Sequence, residues 1–85
     1  MTPEIKAERA KTILADNVFI EAFDMVQNQY VGVFKHPTSS DDEIMEAARM
    51  VRALALVKGQ LQSFVDTGRL LERKKNGKGR QRASD

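Results

Sequence analysis

The sequence predicts an all-α fold, in which an antiparallel helical hairpin is followed by a basic flexible tail. Apolar residues repeat about every 3.5 positions in two long segments, which is a helical pattern and not a strand pattern. A short polar stretch joins the segments, and short connections place consecutive helices side by side. Charge divides the chain: residues 1–72 hold eight Lys or Arg against eleven Asp or Glu, whereas residues 73–85 hold six against one. We therefore expect a hairpin domain, residues 1–72, and a tail, residues 73–85.

The first helix should begin at about residue 3. Thr2 can accept a hydrogen bond as N-cap, Pro3 suits the first helical position, and Glu4 favours the positive end of the helix dipole. Asp16 and Asn17 prefer caps and turns to helix interiors. The sequence thus predicts either a kink or a break at this pair.

The second helix should run from about residue 41 to 67. His36 precedes Pro37 and is therefore pushed out of the helical region, which ends the first helix. Ser40 and Glu43 have the spacing of a capping box. Gly68 matches a left-handed C-cap, after which residues 69–73 could add one short turn.

Each helix has an apolar stripe. The first stripe has spacings of four, three, four and three residues and consists of Phe19, Phe23, Val26, Tyr30 and Val33. The second consists of Ile44, Ala47, Val51, Leu54, Leu61 and Val65, broadened by Met50, Val57 and Phe64.

Several apolar residues lie partly off these stripes, namely Ile20, Phe34, Met45, Met50 and Leu56. A lone pair of helices cannot cover this surplus, so we expect either a dimeric four-helix bundle or docking on a larger assembly. The predicted interface consists of Phe19, Phe23, Val26, Tyr30, Val33, Val51, Leu54 and Leu61.

Catalytic chemistry finds little support in the sequence. There is no cysteine, and the one histidine, His36, stands beside Pro37 at a helix end. The carboxylate pairs Glu21/Asp24 and Glu43/Glu46 supply too few ligands for a metal site. We expect no enzyme activity, metal, cofactor or small-molecule substrate. No segment approaches the roughly 18 apolar residues of a membrane span, so we expect no membrane association and an intracellular protein.

The tail carries six closely spaced cations, namely Arg73, Lys74, Lys75, Lys78, Arg80 and Arg82. Such a segment can bind DNA, bind an acidic protein surface, or serve only as a solubilising terminus. If all six met phosphates, counterion release would give a log–log salt slope of about −5.

Certain short segments, taken together, resemble small helical proteins of tailed bacteriophages that are encoded near head and packaging genes. These segments are Glu8-Arg9-Ala10, Ile13-Leu14-Ala15-Asp16-Asn17, Glu21-Ala22-Phe23 with Tyr30, Arg52-Ala53-Leu54 and Thr67-Gly68-Arg69-Leu70. The resemblance implies a non-enzymatic accessory or structural protein of the host cytoplasm or the virion. Its partners would be copies of itself, head or packaging proteins, and DNA through the tail. The alternative is a small cytoplasmic regulator that binds nucleic acid or a host protein.

Overall fold

The computed structural model describes the backbone of residues 1–84 and the side chains of residues 1–75. This part of the chain is all-α, as predicted, and contains three helices. They are α1 (Pro3–Ala15), α2 (Asn17–Lys35) and α3 (Asp41–Ser84), of 13, 19 and 44 residues. The molecule is elongated, with extents of 68 × 24 × 21 Å. A helix of 44 residues rises about 66 Å, so α3 sets the long dimension.

The start of α1 follows the prediction. The backbone N–H of Ile5 donates to Thr2 Oγ1 at 3.2 Å, Pro3 occupies the start of the helix, and Glu4 lies in the first turn. The cap supplies a partner for one of the N–H groups that a helix leaves unpaired at its beginning.

A single residue, Asp16, separates α1 from α2. Its backbone is extended (φ −71°, ψ 124°), and its N–H donates to the carbonyl of Ile13 at 3.1 Å. Its carboxylate accepts from the N–H groups of Val18 at 2.9 Å and Phe19 at 3.0 Å. The pair Asp16-Asn17 therefore produces a break, because the carboxylate takes N–H groups that a continuous helix would have bonded to the preceding turn.

The connection to α3 also forms as predicted. His36 is extended (φ −79°, ψ 120°), as the residue before a proline tends to be. The N–H of Ser40 donates to Glu43 Oε1 at 3.1 Å, and the N–H of Glu43 donates to Ser40 Oγ at 3.2 Å. This reciprocal pair is the capping box.

The predicted end of the second helix at residue 67 is wrong. Gly68 lies inside α3, and no glycine in the described backbone has a positive φ. A Cβ placed on Gly68 would overlap the Cβ of Ala7. The glycine therefore lets α1 approach α3 closely. This contact, and not a left-handed turn, accounts for the glycine at position 68. Because α3 continues to Ser84, the predicted domain boundary after residue 72 falls within a helix; the flexibility of residues 73–85 stays a prediction.

Both short helices pack on α3. On α1, Ala7 meets Gly68, and Lys6 Nζ lies 5.0 Å from the centre of the Phe64 ring. On α2, Phe23 lies beneath Lys58 Nζ, again at 5.0 Å, and Tyr30 lines a shallow groove with Ala47. Residues early in the chain thus contact the later part of α3, and α2 contacts its earlier part.

The core is made of small residues. Where side chains are described, the buried apolar ones are Ala7, Ala10, Ala47 and Val65. No large side chain among residues 1–75 is fully buried. A core of three alanines and one valine gives little hydrophobic stabilisation, since each buried methylene contributes only about 0.8 kcal/mol.

Candidate functional site: the exposed apolar surface and the basic segment

Large apolar side chains are exposed on all three helices. Among residues 1–75, twelve have 39% or more of their surface accessible: Met1, Ile5, Ile13, Val18, Ile20, Met25, Val26, Phe34, Met45, Leu56, Val57 and Leu70. The most open of those within helices are Val18 at 75% and Leu56 at 69%. Scattered single exposures are normal on protein surfaces, but here the exposed apolar side chains outnumber the buried ones.

The total accessible surface of the molecule is larger than that of a compact protein of the same mass. It is 6967 Å², against about 5,100 Å² expected for a compact monomer of this mass. Elongation accounts for part of the excess.

The predicted interface residues are mostly half-buried within the single chain. Half-buried are Phe19, Phe23, Tyr30, Val33, Val51, Leu54 and Leu61, whereas Val26 is 39% exposed. Phe19 and Phe23 contact each other, with ring centroids 5.8 Å apart at 39°, and Lys58 of α3 covers one face of Phe23. Part of this surface is therefore used to join α2 to α3, and its role between copies stays a prediction.

Most of the apolar residues that were predicted to lie partly off the stripes are exposed. Ile20, Phe34, Met45 and Leu56 are exposed, and Met50 is half-buried. Val57, one of the residues predicted to broaden the second apolar stripe, is 58% exposed, because the face of α3 that α1 and α2 cover is narrower than the apolar pattern.

The exposure of Val18 and Met25 was not predicted. Their spacing of seven residues puts them in line on one face of α2, and this spacing was the available signal.

The charges of α3 are separated along its length. Asp41, Asp42 and Glu43 occupy the first turn, and Glu46 follows one turn later. The pKa of Glu43 is lowered by the hydrogen bonds from the backbone and side chain of Ser40, and further by the nearby His36. Carboxylates at a helix N-terminus are stabilised by the helix dipole.

The opposite end of α3 is basic. Arg69, Arg73, Lys74 and Lys75 are exposed, so their charges are available to a polyanion. The predicted polyanion-binding residues Lys78, Arg80 and Arg82 lie outside the described side chains. Within residues 1–75 one ion pair is formed, between Arg49 and Glu46 at 3.6 Å, and both side chains are largely exposed.

His36 takes part in a local turn. Its Nδ1 accepts from the N–H of Thr38 at 3.3 Å and lies 2.8 Å from Thr38 Oγ1. Among the described residues, no three His, Asp or Glu side chains converge where they could hold a metal ion. The same part of the chain contains no helix that is both long and apolar enough to cross a membrane.

Comparison with protein-family models, with curated proteins and with solved structures gives no match to this chain.

Proposed function

We propose that this protein is a non-enzymatic accessory protein that acts by assembling with copies of itself, as the resemblance to small phage proteins suggests. The observation that carries the proposal is an imbalance within residues 1–75, where the buried core is three alanines and one valine and the surface has twelve exposed large apolar side chains. Small domains without disulfides or structural metals often gain stability by oligomerisation. Self-association would supply the hydrophobic burial that the single chain lacks.

The assembling unit in this proposal is an antiparallel hairpin, with α1 and α2 forming one arm and α3 the other. The order of contacts supports it. Ala7 contacts Gly68, Phe23 contacts Lys58, and Tyr30 lies beside Ala47. Residue numbers therefore rise along α1 and α2 while the numbers of their partners fall along α3, as in an antiparallel pair. Two such hairpins would form a dimeric helical bundle.

The basic end of α3 would then bind DNA. Arg73, Lys74 and Lys75 are exposed and follow one another directly. They supply positive charge that needs no base-specific geometry, which is how phosphate backbones are bound without sequence selectivity. In a phage particle the ligand would be packaged DNA, and an acidic surface of a head or packaging protein is the competing ligand.

A charge-matched pair of variants tests the DNA proposal. In one, Lys74 and Lys75 are changed to Gln; in the other, the exposed Arg9 of α1 and Lys35 of α2 are changed to Gln, which removes the same charge outside the basic segment. Binding to duplex DNA is measured over a range of salt concentrations. We expect the first variant alone to bind more weakly and its salt slope to fall by about 2. Equal effects of the two variants would refute a localised site, and wild-type protein that ignores DNA would redirect the proposal to an acidic protein surface.

A further inference from the structure

The outward side of α3 carries a stripe whose described side-chain contacts lie within α3 itself, Arg49 with Glu46 and Asp66 with Gln62. At its start, Asp42 also borders the groove that Tyr30 lines. The ten positions of the stripe alternate in spacing between three and four residues, and all are exposed. We call it the outer stripe; it consists of Asp42, Met45, Arg49, Arg52, Leu56, Gly59, Ser63, Asp66, Leu70 and Arg73. On a helical wheel it lies opposite the inward residues Ala47, Leu54 and Leu61. Two-stranded coiled coils have the same alternation of three and four residues, with apolar side chains at these positions. In the outer stripe the apolar members are Met45, Leu56 and Leu70, and six of the other seven are polar or charged.

The side chains of the outer stripe are complementary to the same stripe read in the opposite direction, as it would be in an antiparallel second copy. Residues equally far from the midpoint between Val57 and Lys58 form five pairs: Asp42 with Arg73, Met45 with Leu70, Arg49 with Asp66, Arg52 with Ser63, and Leu56 with Gly59. Acid is matched with base twice, apolar with apolar once, a cation with a hydroxyl once, and a large side chain with a glycine once. No pair joins like charges.

We propose that the α3 helices of two copies pair antiparallel along the outer stripe, about a two-fold axis between residues 57 and 58. This proposal rests on the self-association proposed above and names its surface and geometry. A two-fold axis perpendicular to α3 brings each residue of the stripe level with its complement in the second copy, so all five pairs form twice. The 3.5-residue repeat sets a left-handed crossing of about 20°.

Charge disfavours the parallel, in-register alternative. Two parallel α3 helices in register would place Asp42 against Asp42, Arg49 against Arg49 and Asp66 against Asp66 of the second copy. Like charges facing each other across an interface disfavour that partner or orientation. The antiparallel pair converts each of these repulsions into an attraction.

Gly59 supports a close approach at the centre. Glycine weakens a helix interior, and nothing within the chain lies within 4 Å of a Cβ placed at this position. Gly68, by contrast, is explained by its contact with Ala7. In the antiparallel pair Gly59 faces Leu56 of the second copy, and Leu56 is 69% exposed in the single chain. Because Gly59 has no side chain, it leaves room for the leucine.

Two neighbouring substitutions locate the interface. Leu56→Glu changes the outer stripe, whereas Val57→Glu introduces the same charge one residue away, at a side chain that is 58% exposed and off the stripe. By sedimentation equilibrium we expect the Leu56→Glu variant to be monomeric and the Val57→Glu variant to dimerise as the wild type does. The reverse result would overturn the outer stripe and leave self-association standing through another face. A wild type that stays monomeric would overturn both proposals.

Cysteine cross-linking tests the antiparallel direction, because the natural chain has no cysteine. In the proposed pair the two copies of residue 56 lie about 5 Å apart along the helix axis, and the two copies of residue 45 about 38 Å apart. Under oxidising conditions Leu56→Cys should form a disulfide dimer and Met45→Cys should not, whereas a mixture of Met45→Cys and Leu70→Cys chains should form the heterodimer. Equal cross-linking of the Met45→Cys and Leu56→Cys chains with themselves would show a parallel pair and overturn the proposal.

A charge exchange tests the register. Arg49→Asp alone and Asp66→Arg alone each place like charges face to face, and we expect each to weaken dimerisation about tenfold. The double variant restores the pair with its polarity reversed and should recover most of the affinity. Within its own helix, Arg49 pairs with Glu46 at 3.6 Å and Asp66 accepts from Gln62 at 3.1 Å. The double variant loses both contacts, so their loss cannot produce the expected recovery. If the dimer affinity of the double variant is as low as the sum of the two single-variant losses predicts, the register is wrong.

Discussion

At the residue scale, Gly68 could serve either as a helix end or as a point of close contact between two helices. The local pattern Asp66-Thr67-Gly68 suggests a helix end, yet Gly68 is an interior residue of α3 that contacts Ala7 of α1. The two positions are sixty-one residues apart in the chain. Close approach of two helices at small residues brings their backbones together, and any added atom there must displace one helix.

Replacing Gly68 with Ala should destabilise the protein. Overpacking costs about 1–3 kcal/mol, which exceeds the gain of about 1 kcal/mol that alanine brings to a helix interior. Gly32→Ala is the matched control, because nothing lies within 4 Å of a Cβ at Gly32 in α2. Urea denaturation should show a lower free energy of unfolding for the first variant and a higher one for the second. Stabilisation of similar size at both sites would contradict the close contact.

Asp16 is the second residue on which the architecture depends. Its carboxylate accepts from two N–H groups at the start of α2. Asp16→Ala should therefore lower the free energy of unfolding by about 1 kcal/mol, the usual loss for a removed N-cap. Asp16→Asn keeps an acceptor oxygen and should retain most of the stability. Equal losses in the two variants would show that the amide cannot replace the carboxylate, and no loss in either would show that the cap is unimportant.

At the scale of the element, the start of α3 links stability to pH. The pKa of Glu43 is lower in the folded chain than its ordinary value, chiefly because Ser40 donates to it. A lowered folded-state pKa means that the unfolded chain takes up a proton first as pH falls. The stabilisation by Glu43 is therefore fully present above the ordinary carboxyl range, and it is lost as pH falls from there through the folded-state pKa.

A Glu43→Gln variant isolates this effect. The amide can still accept from Ser40 but does not titrate, so we expect the melting temperature of the variant to fall less steeply between neutral and acidic pH than that of the wild type. Parallel curves for the two proteins over that range would show that Glu43 contributes nothing to the pH dependence.

The local elements could be predicted from sequence because their causes are local. Thr2, Asp16 and the Ser40/Glu43 box each form hydrogen bonds within three residues, and the residue types at those spacings indicate the bonds directly. The role of Gly68 could not be predicted in this way, because it depends on α1 packing against the far end of α3.

The division of the apolar residues was harder to predict than the helices. Val57 fits the inward pattern of α3 by spacing, and yet it is 58% exposed. A long helix covered by two shorter ones leaves apolar positions at the margins of each contact, and sequence periodicity alone does not indicate where those margins lie. The candidate basic site, in contrast, is evident from composition, since Arg73, Lys74 and Lys75 stand next to one another.

At the scale of the whole molecule, the single chain is an elongated body of 68 × 24 × 21 Å with no large side chain fully buried among its described residues. Such a chain has a narrow stability margin on its own, because conformational entropy opposes folding in proportion to length while hydrophobic gain depends on burial. Assembly would raise the burial per residue, and stability would then depend on protein concentration.

The solution mass as a function of concentration tests the central claim most directly. Light scattering or sedimentation equilibrium of the wild-type chain should show a dimer or a larger species that dissociates on dilution, with the melting temperature falling in parallel. A monomer with a melting temperature independent of concentration would contradict the account, because the exposed apolar side chains would then have no second copy to cover them.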